Sequence, residues 1–406
     1  MGKTHNILHH QASQRKFDLF TFFCLYIAQS LPMTFFTTAL QVTMRQASYS
    51  FSAIALLQFV KLPWVLKFLW SPVVDKKCST IQGFRKCIFI SEAIYAAIIL
   101  LVGHLDLQTD FPLIIALIFI SFIASATQDI ATDALAVLSF SKNEKGLVNS
   151  MQSLGSFSAT LIGSGILLAL LQRFGWHYVL PFMSLFVFFA MLPLYKNRKL
   201  HIEEKQNEES VRLTDFIWFF TQRSIWRQII FLILYYASII GVLSVIRPYL
   251  VDLGFSMKQI GIMSGVIGSA GACVASLVSG HVIAFLGCFM ARRLFAAFTL
   301  ITMLYFISFS FIQPTMTLVV IGLVLLWMSY GLSTVVVYTT AMECVRPGRE
   351  GTDFTIQTVI THLTGLCMSL ISGSIADHLG FQSLFFIMAA LALCNLLYVL
   401  RAFKKE

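Results

Sequence analysis

Long apolar runs alternate with short polar segments along the whole chain. Since a membrane-spanning helix needs roughly 20 mostly apolar residues, the pattern predicts twelve spans. Their expected bounds are 17–40, 51–73, 86–103, 112–138, 147–171, 178–195, 228–250, 258–286, 293–312, 316–341, 354–376 and 382–401. A polar stretch at 196–227 divides them into six and six. The sequence therefore predicts an all-α membrane protein with a six-helix bundle at 1–195, a cytoplasmic linker at 196–227 and a second six-helix bundle at 228–406.

The composition supports this class and excludes two others. Of the 406 residues, 57% are hydrophobic and 12% are charged, whereas soluble domains average about 45–50% apolar and about 25% charged residues. Disordered chains combine low hydrophobicity with high net charge, which is the opposite bias. The linker, with 32 residues, is too short to form a soluble domain of its own.

The positive charges predict the orientation, because Lys and Arg concentrate in the cytoplasmic loops of membrane proteins. If the N-terminus is cytoplasmic, 23 of the 29 Lys and Arg residues fall in inner segments and 4 in outer loops, while Lys61 and Lys67 lie inside the second span. Both termini are therefore predicted to be cytoplasmic. The same bias accounts for the formal net charge of +10, so we expect a lipid bilayer and no nucleic acid as partner.

Motifs of catalysis and metal binding are missing from the sequence. There is no HExxH motif, no nucleotide-binding loop and no CxxC pair, and none of the eight cysteines falls in a predicted outer loop. We therefore expect no catalytic residues, no disulfide framework, no metal and no cofactor. An enzyme and a nucleotide-driven pump are disfavoured, whereas a lipid scramblase or a sensor stays an alternative to a transporter.

The two halves contain a weak internal repeat. A shift of 205 residues aligns Lys145-Gly146 with Glu350-Gly351, and Gly175 with Gly380. Because each half has six spans, both copies point the same way through the membrane. Parallel repeats of this kind build secondary transporters, whose substrate site lies near the bilayer midplane at the interface of the repeats. The repeat thus predicts transport by alternating access.

Four charged residues stand out within the predicted spans, where a charge at the bilayer centre costs about 2.5–3.5 kcal/mol on insertion scales. Lys61 and Lys67 lie in the second span, and Asp129 and Asp133 lie one helical turn apart in the fourth. Counting residues along the spans puts Asp129 at about the depth of Lys67. The two form either a structural ion pair or part of a proton-coupling site, in which Asp129 or Asp133 binds the transported proton.

Other polar residues within or at the ends of the spans are candidates for substrate binding, although packing explains each of them equally well. Spans one, two, four and five and their repeat mates are expected to line a central cavity. Arg247 either attracts an anionic substrate or is a surface charge that reaches the membrane boundary. The full set is Gln29, Lys61, Gln128, Gln152, Tyr236, Arg247, Tyr330 and Gln357.

Two segments of the first half resemble a known family. They are Lys61-Leu-Pro-Trp-Val-Leu-Lys-Phe-Leu-Trp-Ser-Pro-Val-Val-Asp75-Lys76 and Ala126-Thr-Gln-Asp129-Ile-Ala-Thr-Asp133-Ala134. Together they resemble the branch of the major facilitator superfamily that contains the AmpG-type muropeptide permeases, the acetyl-coenzyme A transporter and the bacterial siderophore permeases. The compact length and the Leu-Pro-Trp-Val-Leu-Lys run look most similar to the siderophore permeases.

This resemblance implies a monomeric, multi-pass transporter of the bacterial inner membrane that moves a small molecule with protons. Uptake of a siderophore or ferric siderophore is the first expectation, and uptake of a muropeptide or export of a small molecule are the alternatives. In the superfamily, an Asp after the second helix caps neighbouring helix ends and stabilises the outward-open state. Asp75, with Arg85 and Lys86, occupies that place here, although Ser71-Pro72 replaces the usual glycine-rich pattern.

Overall fold

The computed structural model describes residues 2–46, 57–107, 109–202 and 215–403. All regular elements in these ranges are helical, which confirms the predicted all-α class. The α-helices are α1 (Gly2–Gln46), α2 (Leu62–Leu66), α3 (Ser71–Lys77), α4 (Ile81–Gly103), α5 (Phe111–Ser139), α6 (Lys145–Leu161), α7 (Leu167–Phe174), α8 (Trp176–Ala190), α9 (Leu192–Lys196), α10 (Asp215–Thr221), α11 (Arg223–Asp252), α12 (Met257–Ile260), α13 (Ser269–Ser308), α14 (Met316–Glu343) and α15 (Glu350–Ala402). Short 3₁₀ turns cover Leu57–Lys61, Lys67–Leu69 and Lys142–Glu144, and π-helical turns cover Ile162–Ile166 and Gly261–Gly268.

Within the described ranges, nine helical stretches are long and apolar enough to cross a membrane. Two of them, Gly261–Ser308 and Glu350–Ala402, are too long for one crossing. The second has 53 residues and extends about 80 Å at 1.5 Å per residue, against a hydrocarbon core of about 30 Å. Each is interrupted by a glycine with positive φ, Gly287 at 79° and Gly380 at 78°. Counting each as two crossings raises the nine to eleven.

The twelve-span count stays a prediction. Part of the expected second span, 51–73, lies outside the described residues. Its described part consists of short turns and the short helices α2 and α3 rather than one continuous helix. Pro63 and Pro72 lie in the first turns of these two helices, where a missing backbone N–H removes no helical hydrogen bond.

The 205-residue repeat is visible in the backbone. Helix α6 begins at Lys145 and α15 begins at Glu350, at the two positions that the alignment pairs. Thirty residues into each copy the helix stops at a glycine, Gly175 with φ 82° and ψ 171° and Gly380 with φ 78° and ψ 166°. Glycine adopts such dihedral angles at little steric cost, which explains why both copies keep it.

The described residues group into two compact units. The first comprises Met1–Ser141, Ser158–Leu213 and Arg346–Thr355, and the second comprises Lys142–Phe157, Thr214–Val345 and Ile356–Glu406. The change from one unit to the other near residue 213 falls within the predicted linker 196–227. Each unit also takes a short segment from the other half of the sequence, so the division into 1–195 and 228–406 stays a prediction.

Aromatic packing and a close helix approach organise the core of the first unit. Phe35, Phe36 and Trp176 form a cluster with ring centroids 5.8–6.3 Å apart. The indole N–H of Trp176 donates to the carbonyl of Val102 at 3.0 Å. A Cβ added at Gly163 would lie 3.1 Å from the backbone of α1, and small residues allow such close packing in membrane bundles. These contacts fix α1, whose preceding turns carry the polar residues described below.

The described surface is rich in large apolar side chains. Phe285 is 88% exposed, Leu370 69% and Phe182 64%. On a soluble protein, extended apolar surfaces of this kind are confined to binding sites or cause aggregation. Lipid acyl chains cover them without such a cost, which agrees with the long apolar helices and supports a multi-span membrane protein.

The predicted orientation can be tested with reporter fusions. We expect alkaline phosphatase fused after Asp106, in the connection between α4 and α5, to be active in the periplasm. The same enzyme fused after Ser141, between α5 and α6, should be inactive because that connection is predicted to be cytoplasmic. Green fluorescent protein fused after Leu200 should fluoresce, and the reverse pattern would contradict the orientation.

Candidate functional site

A buried ion pair lies at the centre of the first unit. The ammonium of Lys67 contacts the carboxylate of Asp129, and their side chains are 1% and 3% exposed. Lys67 begins the 3₁₀ turn that separates α2 from α3, and this broken segment packs on α5. The pair predicted from the equal depth of the two residues is therefore confirmed.

Helix α1 supplies hydrogen-bond donors to both aspartates. The side-chain amide of Gln29 donates to Asp129 at 2.6 Å, and the hydroxyl of Tyr26 donates to Asp133 at 2.9 Å. Residues three or four apart share one face of a helix. One face of α1 thus meets one face of α5 through two matched polar contacts.

The charges of this cluster do not balance when both carboxylates are ionised. Lys67 carries one positive charge, whereas Asp129 and Asp133 together carry two negative charges, and these are the charged groups that act on Asp133. All three residues are at least 98% buried. An uncompensated charge in a low-dielectric interior is costly. One proton taken up by the cluster makes its net charge zero, so the arrangement is chemically suited to binding and releasing a single proton.

Sequence reasoning missed a further buried carboxyl group within a predicted span, Glu92 in α4. Its side chain is 1% exposed, and neither of its oxygens has a hydrogen-bond partner within the part of the chain that the structure describes. Cys24 of α1 and Tyr95, one turn further along α4, are its ionisable neighbours. The signal in the sequence is that Glu92 is the one acidic residue within the apolar run 86–103. Glu92 is a further candidate for a proton-binding group.

Helices α1, α4 and α5 are also joined around the backbone of Gln29. Its carbonyl accepts hydrogen bonds from the hydroxyls of Tyr95 and Ser125, both at 3.4 Å. Ser125 lies one turn before Asp129 on α5, so the backbone and the side chain of Gln29 contact the same helix. Gln29 is thereby placed beside Asp129, and its role in substrate binding stays a prediction.

The other predicted polar residues of the first half have different environments. Gln128 is 2% exposed, and neither atom of its amide group has a hydrogen-bond partner among the described residues. Lys61 is half-buried at the end of a 3₁₀ turn. Gln152 is buried in α6, within the segment that belongs to the second unit.

In the second unit, an aromatic cluster brings together two predicted substrate residues. The ring centroid of Tyr330 lies 5.3 Å from that of Phe157, 6.0 Å from that of Tyr236 and 6.2 Å from that of Trp327. Trp327 packs against Gly268, where any side chain would collide with the indole ring. Aromatic groups offer flat apolar faces and polar tips, which suits a ligand with ring faces and hydroxyl groups.

The two remaining predicted residues of the second half differ in burial. Gln357 is fully buried, donates to the carbonyl of Ala341 at 3.0 Å and accepts from the amide of Gln228 at 3.0 Å. These contacts join α15 to α14 and α11. Arg247 is exposed on α11 next to Pro248.

Asp75, at the end of α3, caps the first turn of α15. It accepts hydrogen bonds from the backbone N–H of Gly351 at 3.0 Å, from the backbone N–H of Thr352 at 2.7 Å and from the Thr352 hydroxyl at 2.7 Å. The first N–H groups of a helix lack intrahelical partners, and the positive end of the helix dipole favours a carboxylate there. Sequence reasoning proposed Asp75 for this role but missed Thr352 as its partner.

The other two predicted gating residues lie elsewhere. A guanidinium N–H of Arg85 donates to the carbonyl of Asn197, just after α9, at 2.5 Å. Lys86 is exposed on α4. A bidentate ion pair that the sequence did not indicate, Arg346 with Asp353 at 2.5 Å and 2.7 Å, holds the chain before α15 against its first turn. Among the described residues, no group of three or more His, Cys, Asp or Glu side chains is placed to hold a metal ion.

An all-helical chain that buries charged groups inside apolar bundles has the architecture of a membrane transporter. The model of the Major Facilitator Superfamily matches residues 19–366. The chain therefore belongs to the Major Facilitator Superfamily.

Its relatives include permeases of the AmpG type. The anhydromuropeptide permease of Escherichia coli K12 is 23% identical over 276 residues, which cover 67% of this chain and 56% of the permease. The putative transporter AmpG 4 of Rickettsia felis is 21% identical over 411 residues, which cover 96% of this chain and 98% of the relative. The resemblance to this branch of the superfamily is confirmed.

Solved structures share the fold. A bacterial homologue of the iron transporter ferroportin, crystallised in an outward-facing state, has a TM-score of 0.69 and 15% identity, over 96% of this chain and 98% of the homologue. A likeness at that identity establishes the fold alone.

The ion pair leads to a stability prediction. We expect Lys67→Met to lower the free energy of unfolding by about 3–5 kcal/mol, because it leaves a buried carboxylate without its cation. The double variant Lys67→Met, Asp129→Asn should recover most of this loss. Thermal unfolding of the purified protein in detergent measures both. Lys76→Met, which removes an exposed Lys of α3, is the matched control and should change stability by less than about 0.5 kcal/mol.

Proposed function

We propose that this protein is a proton-coupled secondary transporter that imports a peptidoglycan fragment of the muropeptide class. It works as a monomer with twelve spans and cytoplasmic termini in the inner membrane of a bacterium, and it has no enzymatic activity. The observation that carries the coupling mechanism is the buried cluster of Lys67, Asp129 and Asp133, in which one cation faces two carboxylates.

The mechanism follows from charge neutralisation. With a proton on the cluster, the first unit buries no net charge at this point and can change conformation without moving an exposed charge into hydrocarbon. Asp133 is the proposed proton carrier. Its hydrogen-bond donor is the neutral hydroxyl of Tyr26, whereas Asp129 contacts the Lys67 cation, which stabilises its ionised form. Release of the proton on the other side restores the negative charge and favours the return step.

Two observations support the substrate class. Relatives of this chain are named as an anhydromuropeptide permease and as AmpG-type transporters. The cluster of Tyr236, Tyr330, Phe157 and Trp327 offers aromatic faces for sugar rings. We propose that Tyr236 and Tyr330 contact the sugars, and that Gln29, Lys61, Gln128, Gln152, Arg247 and Gln357 are secondary candidates for polar contacts. Siderophore uptake, the first expectation from the sequence, draws no support from these relatives.

Asp75 is proposed to stabilise one of the two access states. Its cap on α15 connects α3 of the first half to a helix of the second half, so the contact must break if these segments separate during transport. The three hydrogen bonds are charge-assisted, and such bonds are stronger than neutral ones. Arg85 and Lys86 are proposed as further gating residues, with Arg85 acting through Asn197.

Proton coupling can be tested at the two aspartates. We expect Asp133→Asn to abolish uphill uptake driven by a pH gradient, because an amide keeps the hydrogen bond to Tyr26 but cannot release a proton. Downhill exchange of substrate should continue. Proteoliposomes with an imposed pH gradient, with and without a protonophore, measure both. Asp129→Asn should reduce both uphill uptake and downhill exchange by about tenfold or more, the equivalent of about 1.4 kcal/mol, because it leaves the buried Lys67 without its carboxylate partner. Unaltered proton dependence in both variants would refute the proposal.

The substrate class can be tested by direct competition. In right-side-out vesicles, uptake of a radiolabelled anhydromuropeptide should compete with unlabelled muropeptide and not with a ferric siderophore. Tyr330→Ala is expected to raise KM by about two- to tenfold, in line with 0.5–1.5 kcal/mol for an aromatic contact. Phe311→Ala, at a side chain 71% exposed on the surface, is the control and should leave KM unchanged. Uptake of the siderophore instead would restore the first expectation.

The role of Asp75 can be tested through accessibility. Loss of a helix cap costs about 1 kcal/mol, so Asp75→Ala should shift the access equilibrium about fivefold. A cysteine introduced at the buried Thr355, in a background whose reactive native cysteines are replaced, should then react faster with an impermeant maleimide from the cytoplasmic side. Asp110→Ala, at the other end of the bundle, is the control. Equal labelling rates in both variants would argue against gating.

A further inference from the structure

A cleft on the first unit lies apart from the buried charges. It is formed by the first turns of α4 and by the end of α9, and its volume is about 650 Å³. Arg85, Lys86 and Phe89 line it from α4, and Leu194, Tyr195 and Arg198 line it from the other side. The proposed transport mechanism assigns no ligand to this cleft.

The lining carries three positive charges and no acidic side chain. Arg85 and Lys86 lie in the second turn of α4, and Arg198 lies two residues beyond α9. One N–H of Arg85 is held by the carbonyl of Asn197, while its Nε is buried without a hydrogen-bond partner among the described residues. The hydrogen bond to Asn197 thus holds the guanidinium in a fixed position at the cleft.

Exposed aromatic side chains lie on one side of the charged residues, further along α4 and α8. Phe89 follows Arg85 by one turn along α4, deeper into the predicted third span, and is 49% exposed. Tyr195 is 71% exposed at the end of α9, and Phe189, on the preceding turns of α8, is 53% exposed. The positively charged residues therefore lie at the helix ends. Exposed apolar side chains continue from them along the helices, on the outer surface of the protein.

We infer that this cleft binds the headgroup of an anionic phospholipid, of the phosphatidylglycerol or cardiolipin class, with its acyl chains along Phe89 and Phe189. Guanidinium groups recognise phosphate by paired N–H donors. Basic pockets between membrane helices at the cytoplasmic side bind such headgroups, and the charge bias predicts that this end of α4 is cytoplasmic. A soluble phosphate ester fits less well, because it leaves the exposed aromatic surface uncovered.

The site adjoins a buried hydrogen-bond network. Asn197, whose carbonyl holds Arg85, donates from its side chain to Asp18 at 2.8 Å and accepts from Gln14 at 2.9 Å, and both residues belong to α1. A lipid phosphate on Arg85 and Arg198 therefore connects to α1, α4 and the segment after α9. Binding of the lipid stabilises the packing of these three segments.

The test uses the full-length protein in nanodiscs of phosphatidylcholine that contain increasing fractions of phosphatidylglycerol, with bound lipid counted by native mass spectrometry. We expect retention of phosphatidylglycerol over phosphatidylcholine and a Tm that rises with its fraction. The double variant Lys86→Gln, Arg198→Gln removes two exposed cations and should weaken retention about thirtyfold. Lys76→Gln, Lys77→Gln removes the same charge from α3 and should change it less than about twofold.

Each other outcome overturns the inference. Equal loss in both double variants would mean that the lipid responds to general surface charge. Equal retention of phosphatidylcholine would mean an apolar groove without anion recognition. Displacement of phosphatidylglycerol by millimolar glycerol 3-phosphate, added as the soluble probe, would assign the cleft to a free phosphate ester.

Discussion

The contact between Lys67 and Asp129 is the constraint on which the first unit depends. Neither group can be left alone in an interior of low dielectric constant, since an unpaired buried charge costs several kcal/mol. The segment that carries Lys67 must therefore meet α5 at one depth, and Lys67 itself begins the 3₁₀ turn between α2 and α3. Tyr26 and Gln29 complete the contact from α1, so the same charges fix three elements around one point.

Buried carboxylates at the helix ends also need partners. How fully each one is paired differs between sites. Asp75 is satisfied by three donors of the first turn of α15, and Asp353 by the guanidinium of Arg346. The Lys67 cluster differs because its two carboxylates share one cation, and Glu92 differs because its oxygens have no described donor. This surplus of negative charge, rather than burial alone, is the reason for proposing the Lys67 cluster as a proton-binding site.

A short sequence run can resemble a family because of its structural role and not because of a shared substrate. The Leu-Pro-Trp-Val-Leu-Lys run looks most similar to siderophore permeases, yet in the structure it forms the short α2 and places Lys67 on Asp129. A run with that task carries information about pairing of helices and little about the ligand. The aromatic residues that are proposed to contact the substrate come from α6, α11 and α14, and none of them belongs to this run.

The sequence by itself determined the all-α class, the repeat at 205 residues and the depth match of Lys67 with Asp129. These features depend on apolar run length, charge distribution and counting along a helix, which are local properties. Only the tertiary structure decided that Asp75 accepts from Thr352, that Arg85 donates to Asn197 and that Glu92 has no hydrogen-bond donor within the described part of the chain. Such contacts join residues more than 100 positions apart or depend on helix rotation, and neither the partner nor the rotation is encoded in a local pattern.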